Sequence, residues 1–270
     1  MSRSLRTRVM PWPSADAARI GDADVKVYVA SLLADEASLN RMLPVLSRTE
    51  RERYSGYTNS VVARRFAVGR AILREMIGAL QSVPPSSVRL VDGVHGKPAL
   101  ARGSTKVPLW FSVAHCDDLL LVALSRDGEV GVDVERTRPV DCWERVADRT
   151  LAPDERAELL RAVERGEEPD RVFLRHWCRV EAELKAIGCG IAGLEAHLAG
   201  TRPRGLRLAD LPELPLPPCV ANGGMRYQAA VALCAQVSIS ALDDEIMRQA
   251  TLEMPKVDSP VMSPARASTP

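Results

Sequence analysis

One short acidic pattern in the chain has the residue types of a divalent cation site. The sequence GVDVE spans residues 131–135, and its alternating valines predict a β-strand. Because alternate side chains of a strand point to the same face, Asp133 and Glu135 project together, away from the valines. Two adjacent carboxylates repel each other unless a cation or proton lies between them, and Mg²⁺ prefers hard oxygen ligands. The pattern predicts either a magnesium site or a strand end with solvated acids.

A third acidic residue of interest lies on a predicted helix together with a lysine. Apolar residues recur at steps of four and three between Phe173 and Ile187, which predicts a helix that stops at Gly188. Glu181 and Lys185 are one turn apart on this helix, so their side chains share a face. Two interpretations remain open. The pair is an exposed ion pair, or Glu181 is a third metal ligand or general base while Lys185 neutralises phosphate charge.

Several basic residues have the chemistry to bind an anion. The sequence HGKP places Lys97 in a Gly/Pro turn, His115 follows an apolar strand, and Arg65 and Arg70 lie on the first long helix. Each has an ordinary alternative, since most such turns are only turns, histidines at strand ends are often structural, and helix arginines often face solvent. If functional, these side chains would bind phosphate groups.

The elements that carry these residues follow a duplicated order. The pattern predicts strands at 25–30, 109–114, 119–125 and 130–135, the middle two forming a hairpin, and long helices from Thr58 and at 173–187. A last apolar run covers residues 228–240. A long amphipathic helix followed by strands occurs in each half of the chain. We therefore expect an α+β fold of two similar halves with a ligand cleft between them.

This order also predicts the chain's segments. They are an irregular arm at 1–24, an N-terminal half at 25–128, a C-terminal half at 129–250, and a disordered tail at 251–270 that is rich in proline and serine.

On the first long helix, apolar spacing predicts a core-facing stripe with the arginines off it. The stripe consists of Val62, Phe66, Gly69, Leu73, Met76 and Leu80, and the arginines are Arg64, Arg65, Arg70 and Arg74.

Composition narrows the class of protein. The 270 residues are 46% apolar and 26% charged with a net charge of +1, which suits a globular protein and excludes the basic field of a nucleic-acid or membrane-surface binder. The six cysteines are too scattered to form a zinc ligand pair, and we expect them to be reduced. The start of the chain lacks the apolar run of a secretory signal, and no stretch is long enough to span a membrane, so we expect a cytoplasmic location.

Five motifs occur in a fixed order between residues 46 and 190. They are ARRFAVGRAILREMI, HGKPAL, FSVAHC, GVDVE and FLRHWCRVEAELKAIG. In this combination the chain resembles the 4′-phosphopantetheinyl transferases, specifically the Sfp-type class. The resemblance implies a pseudo-twofold pair of α+β halves with coenzyme A in the cleft. It also implies a monomer that transfers phosphopantetheine from coenzyme A to a serine of an apo acyl or peptidyl carrier protein, with Mg²⁺, and releases 3′,5′-ADP.

The resemblance also assigns roles to individual residues. Metal ligands would be Asp133, Glu135 and Glu181; Glu181 would remove the serine proton, directly or through water, and Lys185 would offset phosphate charge. Coenzyme A would be bound by Arg65 and His115 at its 3′-phosphate and by Lys97 and Pro98 near the adenine and phosphates. Arg51 and Arg53 are further candidates for this basic pocket.

Two positions depart from the family pattern. Val180 stands where a lysine usually precedes the glutamate, so we expect one positive charge near the phosphates to be missing. Cys116 replaces a frequent serine after the histidine, and a thiol is the weaker hydrogen-bonding group. Two other functions remain as alternatives: a Mg²⁺-dependent phosphodiesterase or pyrophosphatase acting on coenzyme A, and a carrier-protein-binding module that has lost catalysis.

Overall fold

A computed structural model describes residues 9–11, 19–20, 23–104, 108–211, 220 and 225–235, with side chains between residues 25 and 234. The fold is α+β, as the sequence predicts. Among the described residues, no helix is long and apolar enough to cross a membrane.

The elements follow one another in this order. The strands are β1 (Val9–Pro11), β2 (Arg19–Ile20), β3 (Ala23–Ser31), β4 (Leu90–Asp92), β5 (Pro98–Leu100), β6 (Trp110–Cys116), β7 (Leu119–Ser125), β8 (Gly128–Arg136), β9 (Leu206–Asp210) and β10 (Tyr227–Ala235). The α-helices are α1 (Glu36–Met42), α2 (Arg48–Gly56), α3 (Ser60–Gln81), α4 (Trp143–Thr150), α5 (Pro153–Glu164), α6 (Pro169–Ile187) and α7 (Leu194–Leu198). The strands predicted at 25–30, 109–114, 119–125 and 130–135 and both long helices are thereby confirmed.

All strand pairs in the structure are antiparallel. The first sheet has the order β1-β3-β7-β6 with β2 beside β3, and the second has the order β8-β10-β9; β4 and β5 form a separate pair. The predicted hairpin is β6-β7, whose two-residue link is Asp117 and Asp118. Asp117 has φ +51°, a left-handed conformation that aspartate tolerates in tight turns.

The two sheets and the two long helices form successive layers. Helix α3 packs on one face of the first sheet through Ala67 and Ala71. The opposite face, with Val27, packs against the second sheet at Val132 in a shared apolar core. Helix α6 covers the outer face of the second sheet, where Ala182 meets small residues of β10. Burial of these apolar faces is the main driving force for the arrangement.

The predicted stripe on α3 is a core face only in part: Leu73 and Met76 are buried in the core, but the two ends of the stripe are exposed. Val62 and Leu80 are each 43% exposed, whereas the buried face lies about one position further along the helix, at residues such as Ala63 and Ala67. Alanine contributes little to an apolar-periodicity signal, so the larger residues dominated the prediction. Arg74, expected off the core face, is 2% exposed because its guanidinium pairs with Glu50 and donates to backbone carbonyls.

The arm and the tail lie largely outside the described residues. Within 1–24, the strands β1 and β2 both pair with β3, so the prediction of a wholly irregular arm is wrong at these residues. Residues 236–240 of the last apolar run and the predicted tail at 251–270 lie outside the described residues. The division into halves at 25–128 and 129–250 stays a prediction.

Candidate active site

A glycine brings helix α6 against strand β8. A Cβ atom at Gly131 would lie 1.9 Å from the Ala182 carbonyl oxygen and 2.5 Å from the Ala186 backbone nitrogen. Any side chain there would force the helix away from the strand. Since Gly131 and Asp133 share a face of β8, the same close approach places Asp133 beside the α6 residue Lys185.

Asp133, Glu135, Glu181 and Lys185 form a group that we call the acid cluster. The Lys185 ammonium lies 2.7 Å from Asp133 Oδ1 and 3.9 Å from Glu181 Oε2. The other oxygen, Asp133 Oδ2, is buried without a hydrogen-bond partner among the described residues. A buried carboxylate oxygen without a partner is costly. The cluster can therefore accept a further cation or donor at Asp133.

The environment of the other two carboxylates of the acid cluster, Glu135 and Glu181, disfavours their ionised form. Burial raises the pKa of Glu135, and Asp133 and Glu181 raise it further. Burial also raises the pKa of Glu181; Lys185 opposes this shift, and Asp133 adds to it. Both shifts mean that ionisation is disfavoured until positive charge arrives. Among the described residues, no group of three or more His, Cys, Asp or Glu side chains is placed to hold a metal ion. The cation that lies next to Asp133 is the Lys185 ammonium.

A cavity of about 330 Å³ lies between α3, the HGKP turn and β6. We call it the arginine cavity, and its lining includes Arg53, Arg65, Phe66, Arg70, Pro98 and His115. Three of the four residues predicted to bind coenzyme A therefore meet there, although they come from three distant parts of the chain. Four residues of the predicted α3 stripe also line this cavity: Val62, Phe66, Gly69 and Leu73.

Two of the cavity arginines stack on an aromatic ring. The guanidinium carbons of Arg53 and Arg70 lie 4.9 Å and 5.6 Å from the Phe66 ring centroid. Burial lowers the pKa of Arg70, although the group stays cationic. The sequence named Arg53 and Arg70 as candidates for binding phosphate but did not predict their contact with Phe66. The spacing of one helical turn between Phe66 and Arg70 is the sequence signal for that shared face.

His115 links the arginine cavity with the acid cluster. Burial lowers the pKa of His115, and the positive charges of Lys185 and Arg65 lower it further, while Asp133 opposes the shift. His115 is therefore within electrostatic range of a lysine of the acid cluster and of an arginine of the cavity. Arg65 itself donates to Asp118 Oδ1 at 2.8 Å.

Lys97 occupies a different position from its neighbours in the HGKP turn. Gly96 and Pro98 line the arginine cavity, whereas the Lys97 ammonium turns to β8. It lies 2.6 Å from Glu129 Oε2 and 3.1 Å from the Val130 carbonyl oxygen. The predicted contact of Lys97 with coenzyme A stays a prediction.

The two departures from the family pattern have structural explanations. Val180 is fully buried in the apolar core that α6 shares with α4 and α5, with Leu159 and Leu184 in the same cluster. Its side chain therefore serves as part of this apolar core. The Cys116 thiol lies 3.9 Å from Glu135 Oε2 and accepts a hydrogen bond from the Arg136 backbone nitrogen at 3.3 Å.

A buried ionic network anchors another face of α6. His197 lies 3.0 Å from Glu183 Oε1 and 2.9 Å from Glu155 Oε2, and Arg202 pairs with both glutamates. Burial alone would lower the pKa of His197, but hydrogen bonds to the two carboxylates outweigh it and raise the pKa to about 9. Sequence reasoning missed this network because its members are far apart along the chain.

Comparisons with known proteins identify a common family. The family model of the 4′-phosphopantetheinyl transferase superfamily matches residues 129–209, from β8 to β9. The 4′-phosphopantetheinyl transferase HetI of Nostoc sp. is 34% identical over 189 residues, which cover 69% of this chain and 79% of that protein. The 4′-phosphopantetheinyl transferase AcpT of Salmonella typhimurium is 36% identical over 142 residues, covering 53% of this chain and 67% of AcpT. The 4′-phosphopantetheinyl transferase psf-1 of Bacillus pumilus is 25% identical over 211 residues, covering 77% of this chain and 87% of psf-1.

Proposed function

Because the chain belongs to the 4′-phosphopantetheinyl transferase superfamily and is an enzyme of that class, we propose that it converts apo carrier proteins to their holo form. It transfers 4′-phosphopantetheine from coenzyme A to a serine hydroxyl of an acyl or peptidyl carrier protein and releases 3′,5′-ADP. The observation that supports this best is the arginine cavity, which brings together three of the residues expected to bind coenzyme A, Arg65, Pro98 and His115.

The arginine cavity suits the nucleotide end of coenzyme A. Arg65 and His115 would contact the 3′-phosphate, with Arg53 as a further cation. Charge-assisted contacts to a phosphate are among the stronger hydrogen bonds. Burial and the positive charges of Lys185 and Arg65 lower the pKa of His115, and approach of the phosphate would oppose this shift and favour its protonation. The Phe66 ring and Pro98 supply apolar surface for the adenosine moiety.

The acid cluster has the donor set for Mg²⁺. Asp133 has a buried oxygen without a partner, and the pKa values of Glu135 and Glu181 are raised, so a divalent cation would relieve both costs. Asp133, Glu135 and Glu181 would hold the ion through hard carboxylate oxygens. When bound, Mg²⁺ supplies positive charge beside the pyrophosphate.

The transfer is a direct displacement at phosphorus. The serine oxygen attacks the β-phosphorus of coenzyme A, an O–P bond forms, and the bond to the ADP oxygen breaks. Glu181 accepts the serine proton, directly or through water. Lys185 stays beside Asp133 and offsets the charge that develops on the phosphoryl oxygens.

Membership of the superfamily also leads us to propose a class, an internal symmetry and an acceptor for this enzyme. We assign the enzyme to the Sfp-type class, with its two halves related by a pseudo-twofold. The similar pairing of one long helix with one antiparallel sheet in each half supports this relation. A carrier protein of fatty acid, polyketide or non-ribosomal peptide synthesis would be the acceptor. The cytoplasmic location and the monomeric state stay predictions.

Intact-mass spectrometry of a purified apo carrier protein tests the proposal. The chain, coenzyme A and Mg²⁺ should add one phosphopantetheine to the carrier, and EDTA should abolish the addition. Release of 3′,5′-ADP without modification of several carriers would instead support a hydrolase. Absence of both products, with carrier binding retained, would support a binding module and overturn the transferase.

A further inference from the structure

Strand β8, which carries Asp133 and Glu135, has an open edge toward β6. Its odd-numbered residues pair with β10, as Thr137 N donates to the Arg226 carbonyl at 2.8 Å and Glu135 stands opposite Gln228. Backbone groups of an antiparallel strand alternate in direction. The N–H and C=O groups of residues 130, 132, 134 and 136 therefore point away from β10, and β8 is the end strand of its sheet within the described chain.

Side chains from the first half of the chain bind this edge. Ser112 Oγ accepts from Val132 N at 3.1 Å, and Cys116 Sγ accepts from Arg136 N at 3.3 Å. At the other end of the strand, the Lys97 ammonium donates to the Val130 carbonyl at 3.1 Å. Each of three even-numbered positions of β8 thus has one edge group, an N–H or a C=O, bonded to a side chain.

The Ser112 and Cys116 contacts join the two sheets without a continuous backbone ladder, and the Lys97 contact joins β8 to the HGKP turn. Ser112 and Cys116 lie on one face of β6, and His115 lies on the opposite face, where it lines the arginine cavity. The position of β8 along β6 therefore decides how far Asp133 stands from His115. A slip of β8 by one residue would reverse the faces of its side chains.

We propose that Lys97, Ser112 and Cys116 are positioning residues that hold the carboxylate strand in register with the nucleotide-binding strand. The inference rests on the proposed function, because register matters only if phosphate held at His115 must reach Asp133 and Glu135. Cys116 contacts both the backbone of this strand and one of its carboxylates. Its thiol accepts from Arg136 N and lies 3.9 Å from Glu135 Oε2. Lys97 serves this register through Val130 and Glu129.

Amide hydrogen exchange of the free chain, followed by NMR, tests the contacts without any substrate. Ser112→Ala should accelerate exchange of the Val132 amide, and Cys116→Ala that of the Arg136 amide, each by roughly tenfold. Cys116→Ser should leave the Arg136 amide protected, because a hydroxyl accepts the same hydrogen bond. The Glu135 amide, which faces β10, is the internal control. Unchanged exchange at Val132 and Arg136, or equal acceleration at Glu135, overturns the inference.

Steady-state kinetics separate positioning from coenzyme binding. Lys97→Met and Cys116→Ala should lower kcat about threefold to tenfold while KM for coenzyme A stays within about twofold, because misplacement affects the reaction more than binding. Cys116→Ser should restore kcat. A Lys97→Met variant with raised KM for coenzyme A and normal kcat overturns the positioning role of Lys97. If the wild-type chain transfers nothing, the proposed function fails, and the exchange measurement still decides whether the side chains hold β8.

Discussion

The acid cluster and the arginine cavity meet at His115 but are assembled differently. The acid cluster needs one strand and one helix, brought together by the close packing of Gly131 on α6. The arginine cavity needs α2, α3, the HGKP turn and β6, and its cations stack on a phenylalanine that also lines the cavity. Loss of a single group should therefore harm the two sites differently: the acid cluster has few groups with no substitutes, whereas the cavity shares its charge among several cations.

We expect the largest effect from Asp133→Asn, which tests whether the acid cluster depends on each of its groups. The variant keeps the shape of the side chain but removes the charge that faces Lys185, and we expect transfer to fall on the order of a thousandfold. Circular dichroism and melting temperature should stay near those of the wild type. Asp148→Asn, at an exposed ion pair on α4, is the matched control and should keep full activity. Substantial transfer by Asp133→Asn would remove this residue from the site.

Removal of the lysine should have the next largest effect. Lys185→Met leaves the carboxylates without their nearby cation, and we expect kcat to fall about a hundredfold while KM for coenzyme A changes less. Single-turnover kinetics with a saturating carrier protein measure the chemical step directly. Unchanged turnover would show that Lys185 has only a structural role.

The arginine cavity should respond more mildly. His115→Ala removes one of several phosphate contacts, so we expect KM for coenzyme A to rise about tenfold with a small change in kcat. With 3′-dephospho-coenzyme A, the wild type and the variant should behave alike. Equal losses with both substrates would reject the contact between His115 and the 3′-phosphate.

The smallest expected effect concerns stability, at the network that anchors α6 away from the acid cluster. The folded-state pKa of His197 is about 9, above its unfolded value of about 6.5, so its contribution is fully present below pH 6.5 and is lost as pH rises through about 9. The free energy of unfolding should therefore decrease over this interval. Urea titrations at several pH values measure it, and His197→Gln should flatten the dependence. A wild-type profile without this decrease would contradict a protonated His197.

Sequence reasoning succeeded where a single element carries the pattern. The alternation from Val130 to Glu135 correctly placed the three valines in the core and the two acids on the opposite face of β8. It failed where small residues formed the core, as on α3, because Ala63 and Ala67 give a weak periodic signal beside Val62 and Phe66. It also treated Val180 as a missing charge, although the fold places this side chain in an apolar core.

By itself, the sequence determined the element types, the hairpin, the acids' shared face and the family resemblance, because these depend on local periodicity and on motifs within short segments. Only the tertiary structure decided which distant groups meet. It brought Arg53 and Arg70 onto Phe66, turned Lys97 toward Val130, and placed Ser112 on the open edge of β8. The physical reason is that such contacts join residues on different elements, and their distances depend on how the sheets and helices pack together.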